Sequence, residues 1–164
     1  VADGEPEPEP QVFAQALARN VLPQVGAFDE SGWSTEERKV RDETRKMLDL
    51  PELSVTVTAV RVPVRTAHSE AVFVETQRAT SVAELAAAFE RAPGIVFHRQ
   101  GIVTPRQVEG TDDVHVARLR SFGDEREAGT RFALWCVGDQ LRKGAATNAV
   151  EILELLLSKG YVAA

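Results

Sequence analysis

Cysteine, methionine and tyrosine are scarce in this chain of 164 residues, which contains one of each. The single cysteine, Cys136, cannot form a disulfide within the chain, so a reducing, cytoplasmic setting is the simplest interpretation. Basic residues are also in deficit, because 19 Lys and Arg stand against 25 Asp and Glu and give a formal net charge of -6. That balance argues against a general nucleic-acid binder and against an anionic membrane surface as the partner.

Long apolar runs and glycine-rich loops are missing as well. No apolar stretch is long enough to span a bilayer, and we expect no signal peptide because the sequence opens without a basic and then apolar segment. No glycine-rich phosphate loop is present. The histidines, His68, His98 and His115, lack a Cys or carboxylate at ligand spacing, so we predict no metal site.

The chain opens with a Pro/Glu-rich segment that contains GEPEPEPQ. Such a composition favours extended or disordered states and cannot build a core, so residues 1–10 are predicted to be an acidic linker or loop. Residues 11–164 are numerous enough for one domain with its own core. Because the sequence starts at a valine, we expect the chain to be part of a longer protein.

Capping boxes and hydrophobic periodicity predict the secondary structure. Ser34 with Glu37, and Ser81 with Glu84, fit the pattern in which each side chain satisfies the other residue's backbone amide at a helix start. The helices predicted from these boxes and from a final apolar-faced segment cover residues 35–48, 81–91 and 143–159. Alternating apolar and polar residues predict strands over residues 53–62, 69–76, 95–98, 114–120 and 131–138. This order predicts an α+β fold, with a mostly antiparallel sheet and helices packed on one face.

Two polar groupings are candidates for chemistry. Arg61 lies at a strand position, and its planar guanidinium suits a carboxylate or a phosphate. His68 follows seven residues later and can titrate near neutral pH. Glu36 and Lys39 lie three residues apart on one face of the first helix. Taken alone, these patterns favour a strand-end charge pair with an exposed histidine and a solvated helix pair.

A third grouping spans Asp139–Asn148. Arg142 and Lys143 are predicted at a helix N-terminus, where the macrodipole disfavours cations unless an anion or a partner offsets them. Gly144 allows a close approach to the backbone, although a helix start packed on its own sheet would look the same. Cys136 lies in an apolar strand, where burial leaves thiols inert, so no catalytic role is predicted for it.

Four sequence blocks occur in a fixed order across residues 12–157. They are NVLP at 20–23 with Gly26 and Phe28, EERK at 36–39 with ETRK at 43–46, VRVPV at 60–64 with HS at 68–69, and DQLRKGAA at 139–146 with Asn148. Together they resemble the C-terminal substrate-binding and dimerisation domain of the aspartate-semialdehyde dehydrogenases. The fold that this resemblance implies is that of the C-terminal domain of glyceraldehyde-3-phosphate-dehydrogenase-like enzymes.

The resemblance implies a role for each matching side chain. His68 resembles the general base that takes a proton from a cysteine thiol, and Arg61 resembles the clamp on the substrate carboxylate. Glu36 matches a glutamate that holds the substrate amino group, and Lys39 matches a lysine of the phosphate site. Gln140 lies in the segment that reaches the nicotinamide end of NADP in this family, where asparagine is the common residue.

The activity implied by the resemblance is the NADP-dependent interconversion of aspartyl 4-phosphate and aspartate semialdehyde, in the biosynthesis of lysine, threonine, methionine and diaminopimelate. It also implies a homodimer formed through this domain, with aspartate semialdehyde and phosphate as ligands. The family's nucleotide-binding half and nucleophilic cysteine have no counterpart here, so we expect the chain alone to be inactive.

One departure from the family and two alternatives stay open. Ala67 stands where glycine commonly precedes the histidine, which is costly if the backbone there needs a positive φ. A non-catalytic dimerisation or binding paralogue is one alternative, although joint retention of the matching site residues argues against it. An N-acetylglutamyl-phosphate reductase is the other, and the VRVPV and RKGAA blocks argue against that.

Overall fold

The computed structural model describes residues 9–123 and 129–162, so most of the predicted linker over residues 1–10 lies outside the described residues. The chain divides into two compact units, Val1–Pro63 and Val64–Ala164. Within the described residues, no helix combines the length and the apolar character that crossing a bilayer requires.

The first unit is built around helix α1, Thr35–Leu48, with the bounds that the sequence predicts. Its capping box forms on both sides: Ser34 Oγ accepts from the Glu37 amide at 3.4 Å, and Glu37 Oε2 accepts from the Ser34 amide at 2.7 Å. The helix ends at Asp49, which adopts a left-handed φ of 53° before Pro51. The prediction for this helix is confirmed.

The strand predicted over residues 53–62 is wrong. That segment joins no sheet of the described residues. It makes one isolated antiparallel bridge, between Leu22 and Arg61. The alternation that suggested a strand survives as alternating half-buried and exposed residues over 53–60. Alternation reports which side of an extended segment is covered, but a strand also needs a neighbouring backbone along its length. Here the Ala59 amide donates instead to the Glu37 carboxylate, at 2.9 Å.

The second unit contains a four-stranded sheet. Its strands are β1 (His68–Glu75), β2 (Ile95–His98), β3 (Val114–Ser121) and β4 (Arg131–Gly138), arranged in the order β1-β4-β3-β2. Strand β4 pairs antiparallel with both β1 and β3, whereas β2 and β3 are parallel. The predicted α+β class with a mostly antiparallel sheet is confirmed.

Helix α2, Val82–Arg91, packs on one face of this sheet, against β2 and β3. Phe89 of α2 stacks on Phe97 of β2, with ring centroids 5.7 Å apart. A single turn that the sequence did not predict, α3 (Pro105–Val108), contacts β4. Alternation along β3 places Ala117, which clusters with Val108, on the face opposite to Phe97.

The last helix, α4, covers Thr147–Ser158 and is preceded by a π-helical turn, Arg142–Ala146. The predicted start near residue 143 therefore falls in the π-helical turn. Gly160 follows the C-cap with a φ of 72°, as a terminating glycine should. Ile152 and Leu153, on the predicted apolar face, remain about half exposed.

The main core cluster of the second unit lies between the sheet and the segment that contains α3. Trp135 packs against it and donates from its indole Nε1 to the Val103 carbonyl at 2.9 Å. The buried members are Ala67, Val103, Val108, Ala117 and Val137. Because Ala67 belongs to this cluster, the residue before His68 is fixed by the core.

Candidate functional site

Arg61, the predicted carboxylate clamp, is held in the first unit by its backbone. Its amide and carbonyl exchange hydrogen bonds with Leu22, at 2.8 and 3.0 Å. Its guanidinium carbon lies 4.8 Å from the ring centroid of Phe13, a cation–π distance, beside an open concavity of about 480 Å³ that Arg61 helps to line. No ion pair to Arg61 is found among the described residues. Its planar donors are therefore available to a carboxylate.

Glu37 is a buried residue of the first unit whose full role the sequence did not reveal. The capping box predicted the contact of one carboxylate oxygen with Ser34. The other oxygen accepts from the amide of Ala59, 22 residues away and two residues before Arg61. Those backbone amides, of which Ser34 contributes most, hold the pKa of Glu37 below its ordinary value of 4.5. Glu37 thus joins the start of α1 to the segment that carries Arg61.

Glu36 and Lys39 form an ion pair on the first turns of α1, with Nζ and Oε1 separated by 3.2 Å. The pKa of Lys39 is raised mainly by this hydrogen bond, and further by the charges of Glu36 and Glu43. Both side chains are exposed, and exposed pairs of this kind contribute little to stability. The pair can therefore open towards an amine or an anion at small cost.

His68, the predicted base, is the first residue of β1, and its register partner is Gly138 at the end of β4. Its side chain is exposed, while Ala67 before it is 4% exposed. Ala67 has a φ of 69°, which lies in the left-handed region. The strain expected from alanine at this position is thus present in the backbone.

Gln140, the predicted cofactor contact, lies two residues beyond the end of β4. Its Oε1 accepts a hydrogen bond from the Ala67 amide at 2.7 Å and lies 3.4 Å from Thr66 Oγ1. Since the Ala67 amide can only donate, the atom facing it must be the amide oxygen of Gln140. Among the predicted site residues of the second unit, Gln140 and His68 are therefore close: Gln140 binds the backbone amide of Ala67, the residue directly before His68.

Asp139 begins the third polar grouping, and the sequence did not reveal what its carboxylate binds. It is buried, and its carboxylate accepts from the amides of Gly110 and Leu141, each at 2.8 Å. These hydrogen bonds, that of Gly110 first, lower the pKa of Asp139 from its ordinary value of 3.8. Its carbonyl also accepts from the Gly144 amide at 3.1 Å. A polar residue at a strand end that begins a tight turn was the available signal.

Arg142 resolves the question of cations at a helix N-terminus. It makes a bidentate pair with Asp112, at 2.8 and 2.7 Å, and Thr147 Oγ1 donates to the same carboxylate at 2.6 Å. These contacts lower the pKa of Asp112 to about 2. Lys143 pairs with Glu151. The anions that offset both cations thus come from the second unit itself, which supports the structural interpretation of this helix start.

Two other titratable features have no site role. Burial raises the pKa of the Cys136 thiol to about 11, with Glu70 as a smaller cause, as an inert strand cysteine should show. His98 and His115 lie side by side on β2 and β3, with Nε2 and Nδ1 at 2.9 Å. No cluster of three or more metal-ligating side chains occurs among residues 9–123 and 129–162.

A family model described as semialdehyde dehydrogenase, dimerisation domain, matches residues 2–143. The chain is 37% identical to the aspartate-semialdehyde dehydrogenase of Aquifex aeolicus over 164 residues, covering 98% of this chain and 47% of that protein. It is 40% identical to aspartate-semialdehyde dehydrogenase 2 of Vibrio cholerae over 152 residues, covering 91% and 44%. The chain spans about half the length of the curated relatives it matches.

Solved structures show the same relationship. Aspartate semialdehyde dehydrogenase II of Vibrio cholerae, complexed with ASA, superposes with a TM-score of 0.85 at 39% identity, covering 92% of this chain and 44% of that chain. The enzyme from Francisella tularensis superposes with a TM-score of 0.76 at 29% identity, covering 87% and 40%. The similarity therefore extends over almost all of this chain and less than half of each of those chains.

Proposed function

The chain belongs to the semialdehyde dehydrogenase dimerisation-domain family, and from that premise we propose that it is the substrate-binding and dimerisation half of an NADP-dependent aspartate-semialdehyde dehydrogenase. The observation that carries the proposal is the similarity to the Vibrio cholerae enzyme complexed with ASA, at 39% identity over 92% of the chain. The proposed reaction interconverts aspartyl 4-phosphate and aspartate semialdehyde in cytoplasmic biosynthesis of the aspartate-family amino acids. The other half of a full-length enzyme would supply the nucleotide-binding domain and the nucleophilic cysteine.

Substrate binding in this proposal uses the charged side chains of the first unit. Arg61 binds the substrate carboxylate, since its guanidinium meets an aromatic face and no carboxylate among the described residues. Glu36 accepts from the substrate ammonium group, and Lys39 binds phosphate. The exposed ion pair between Glu36 and Lys39 opens at small cost, so each charge can be redirected to its ligand.

His68 is the proposed general base and general acid. Its imidazole would accept the proton of the cysteine thiol and so generate the thiolate that attacks the aldehyde. The exposed ring at the start of β1 leaves room for a thiol to approach. The fold restricts the backbone at His68 in two ways. Gly138 pairs with His68 across the β1–β4 ladder, and Ala67, the residue before it, is buried.

NADP, when bound, supplies or accepts the hydride. Gln140 is the residue proposed to face the nicotinamide end. Its Oε1 accepts from Ala67, whereas its Nε2 makes no hydrogen bond to the described residues, so both N–H groups remain for an acceptor such as a carboxamide oxygen. The side chain thus fits the cofactor through one atom only.

We place a homodimer interface on this domain, in keeping with the family's description as a dimerisation domain. Phe73 on β1 is 67% exposed and packs edge-to-face against Phe122, which is itself 39% exposed, with ring centroids 5.7 Å apart. Strand β1 is also an edge of the sheet. An exposed aromatic pair beside an unpaired edge is a surface that association would cover.

The test joins this chain to the N-terminal half of the Vibrio cholerae enzyme and measures NADPH formation from aspartate semialdehyde, phosphate and NADP. We expect turnover in the chimera, none in the isolated chain, and a loss of about a hundredfold or more in kcat with His68→Ala. Arg61→Leu should raise KM for aspartate semialdehyde, and Arg65→Leu, a matched exposed arginine, should not.

Two outcomes would contradict the proposal. One is turnover by the isolated chain that His68→Ala abolishes, because the cysteine would then not be needed from elsewhere. The other is a chimera whose rate is unchanged by His68→Ala. If the chimera does not assemble, NMR titration of the isolated chain with aspartate semialdehyde tests Arg61 directly, with Arg65→Leu again as the control.

The two alternatives gain nothing from the comparisons. The relatives found are aspartate-semialdehyde dehydrogenases, which does not favour an N-acetylglutamyl-phosphate reductase. A non-catalytic paralogue would bind and dimerise as the proposal expects, but its chimera would show no turnover.

A further inference from the structure

We propose that Gln140 is a positioning residue for His68, acting through the backbone amide of Ala67. This role is separate from the cofactor contact proposed for Gln140 above. It rests on the proposed function only in that His68 acts as a base. Its structural part stands on hydrogen bonds within the second unit, between the turn after β4 and the residue before β1.

The fold must maintain an unusual backbone conformation at Ala67. Ala67 is 4% exposed and has a φ of 69°, a region that non-glycine residues adopt at a cost. Its methyl group lies in the core cluster, so its side chain is fixed as well as its backbone. A buried residue in a strained conformation persists only when its surroundings hold it there, and a change in it would rotate the start of β1 at His68.

A hydrogen bond from Gln140 holds Ala67 in this conformation. Gln140 Oε1 accepts from the Ala67 amide at 2.7 Å across a sequence separation of 73 residues. A buried amide without an acceptor is unfavourable, so this bond selects the conformation in which the amide of Ala67 points at the end of β4. The ladder partner of His68 is Gly138, two residues before Gln140. The base is therefore located by two neighbouring contacts with one strand end.

Gln140 itself belongs to a turn that several hydrogen bonds fix. Asp139 fixes the turn, because its carboxylate accepts from the amides of Gly110 and Leu141 and its carbonyl accepts from that of Gly144. Gly144 packs closely as well, since a Cβ there would lie 3.4 Å from the Gln140 Cβ. The side chain that holds Ala67 thus extends from a backbone with few alternatives.

The length of the side chain matters as well. An asparagine at this position would be shorter by one carbon–carbon bond of about 1.5 Å. On this backbone its oxygen would fall short of the Ala67 amide. Gln140 and Ala67 thus form a linked pair: the longer arm holds the amide of a residue that, unlike glycine, is strained in the conformation required.

The experiment separates the oxygen of Gln140 from its nitrogen. Gln140→Glu keeps an acceptor for Ala67 and removes the amide donor, whereas Gln140→Leu removes both at similar size. Gln77→Leu, an exposed glutamine in the loop after β1, is the matched control. The readouts on the isolated chain are the hydrogen-exchange rate of the Ala67 amide and the ring NMR signals of His68.

We expect Ala67 amide exchange to accelerate about fivefold to tenfold in Gln140→Leu, as the loss of one hydrogen bond implies, and to stay near the parent rate in Gln140→Glu and Gln77→Leu. The His68 ring signals should shift only in Gln140→Leu. Unchanged exchange in a folded Gln140→Leu variant overturns the proposal. Faster exchange in both Gln140 variants overturns it too, because an acceptor would then be insufficient.

A kinetic measurement on the chimera addresses catalysis. Gln140→Leu should lower kcat, because small misplacements of a catalytic group are costly. It should also shift the part of the kcat–pH curve that depends on His68. Gln140→Glu should restore that part of the curve while raising KM for NADP. If His68→Ala leaves the rate unchanged, the proposed function fails and the exchange result on Ala67 still decides the positioning. If His68 is essential and Gln140→Leu keeps a normal pH profile, positioning fails alone.

Discussion

Replacing Ala67 with glycine tests whether strain is stored in front of His68. The matched control is Ala117→Gly, because Ala117 is fully buried in the same core cluster and is not among the residues with positive φ. Both changes remove one buried methyl group from one hydrophobic cluster. They differ in the backbone conformation that the substituted residue must adopt, so their comparison isolates the contribution of that conformation.

The magnitudes follow from general terms applied to these two sites. A buried methyl group contributes about 0.8 kcal/mol, and the freedom that glycine adds to the unfolded chain costs a further 0.4 to 1 kcal/mol, roughly. Ala117→Gly should therefore destabilise by about 1.5 kcal/mol. At Ala67 the same losses are offset by release of about 1 to 2 kcal/mol of left-handed strain, which leaves a net change near zero.

Thermal and urea unfolding of the parent chain and of both variants supply the assay. A difference of about 1.5 kcal/mol between the variants corresponds to about 3 to 6 °C in midpoint for a chain of this size. Equal destabilisation by the two substitutions would refute the reasoning, because it would mean that the left-handed conformation of Ala67 carries no free-energy cost. A larger loss at Ala67 than at Ala117 would refute it more strongly.

Three further predictions rest on contacts described above. Glu37→Ala should destabilise the first unit and speed amide exchange at Ala59, whereas Glu37→Gln, which keeps an acceptor, should do so less; equal exchange rates would contradict this. Because the pKa of Asp112 is lowered to about 2, its pairing with Arg142 stabilises the fold fully above pH 3.8, and this contribution is lost as the pH falls towards 2. In Asp112→Asn, the loss of stability between pH 3.8 and 2 should therefore be smaller. Phe73→Asp should shift the chain towards monomer in sedimentation velocity, and an unchanged dimer fraction would exclude this surface from the interface.

Local signals in the sequence specified local structure well. The box of Ser34 and Glu37 predicted the start of α1 because both partners of that contact lie within one helical turn. The strand predicted over residues 53–62 failed because strand formation depends on a distant backbone partner, which the segment's own alternation cannot report. The second bond of Glu37, to Ala59, was invisible for the same reason: nothing local links residues 22 positions apart.

The candidate site shows the same division. The roles proposed for Arg61 and His68 come from residue types and from the family pattern and stay predictions, whereas the concern about φ at Ala67 is confirmed. The contact between Gln140 and Ala67 could not be predicted, since it depends on the register that places Gly138 opposite His68. The contacts of Asp139 were not predicted, because an acid after a strand is an ordinary turn residue until the loop it holds is known.

The paired imidazoles of His98 and His115 give the sheet a proton-dependent element. One ring must donate to the other, so the contact exists only while at least one ring is neutral. Burial, and then the charge of His98, hold the pKa of His115 below its ordinary value of 6.5, while Asp113 opposes them. The unfolded chain therefore binds more protons than the folded one as the pH falls below 6.5. Acidification should therefore weaken the β2–β3 edge as His115 takes up a proton, independently of the Asp112 contact at the start of α4.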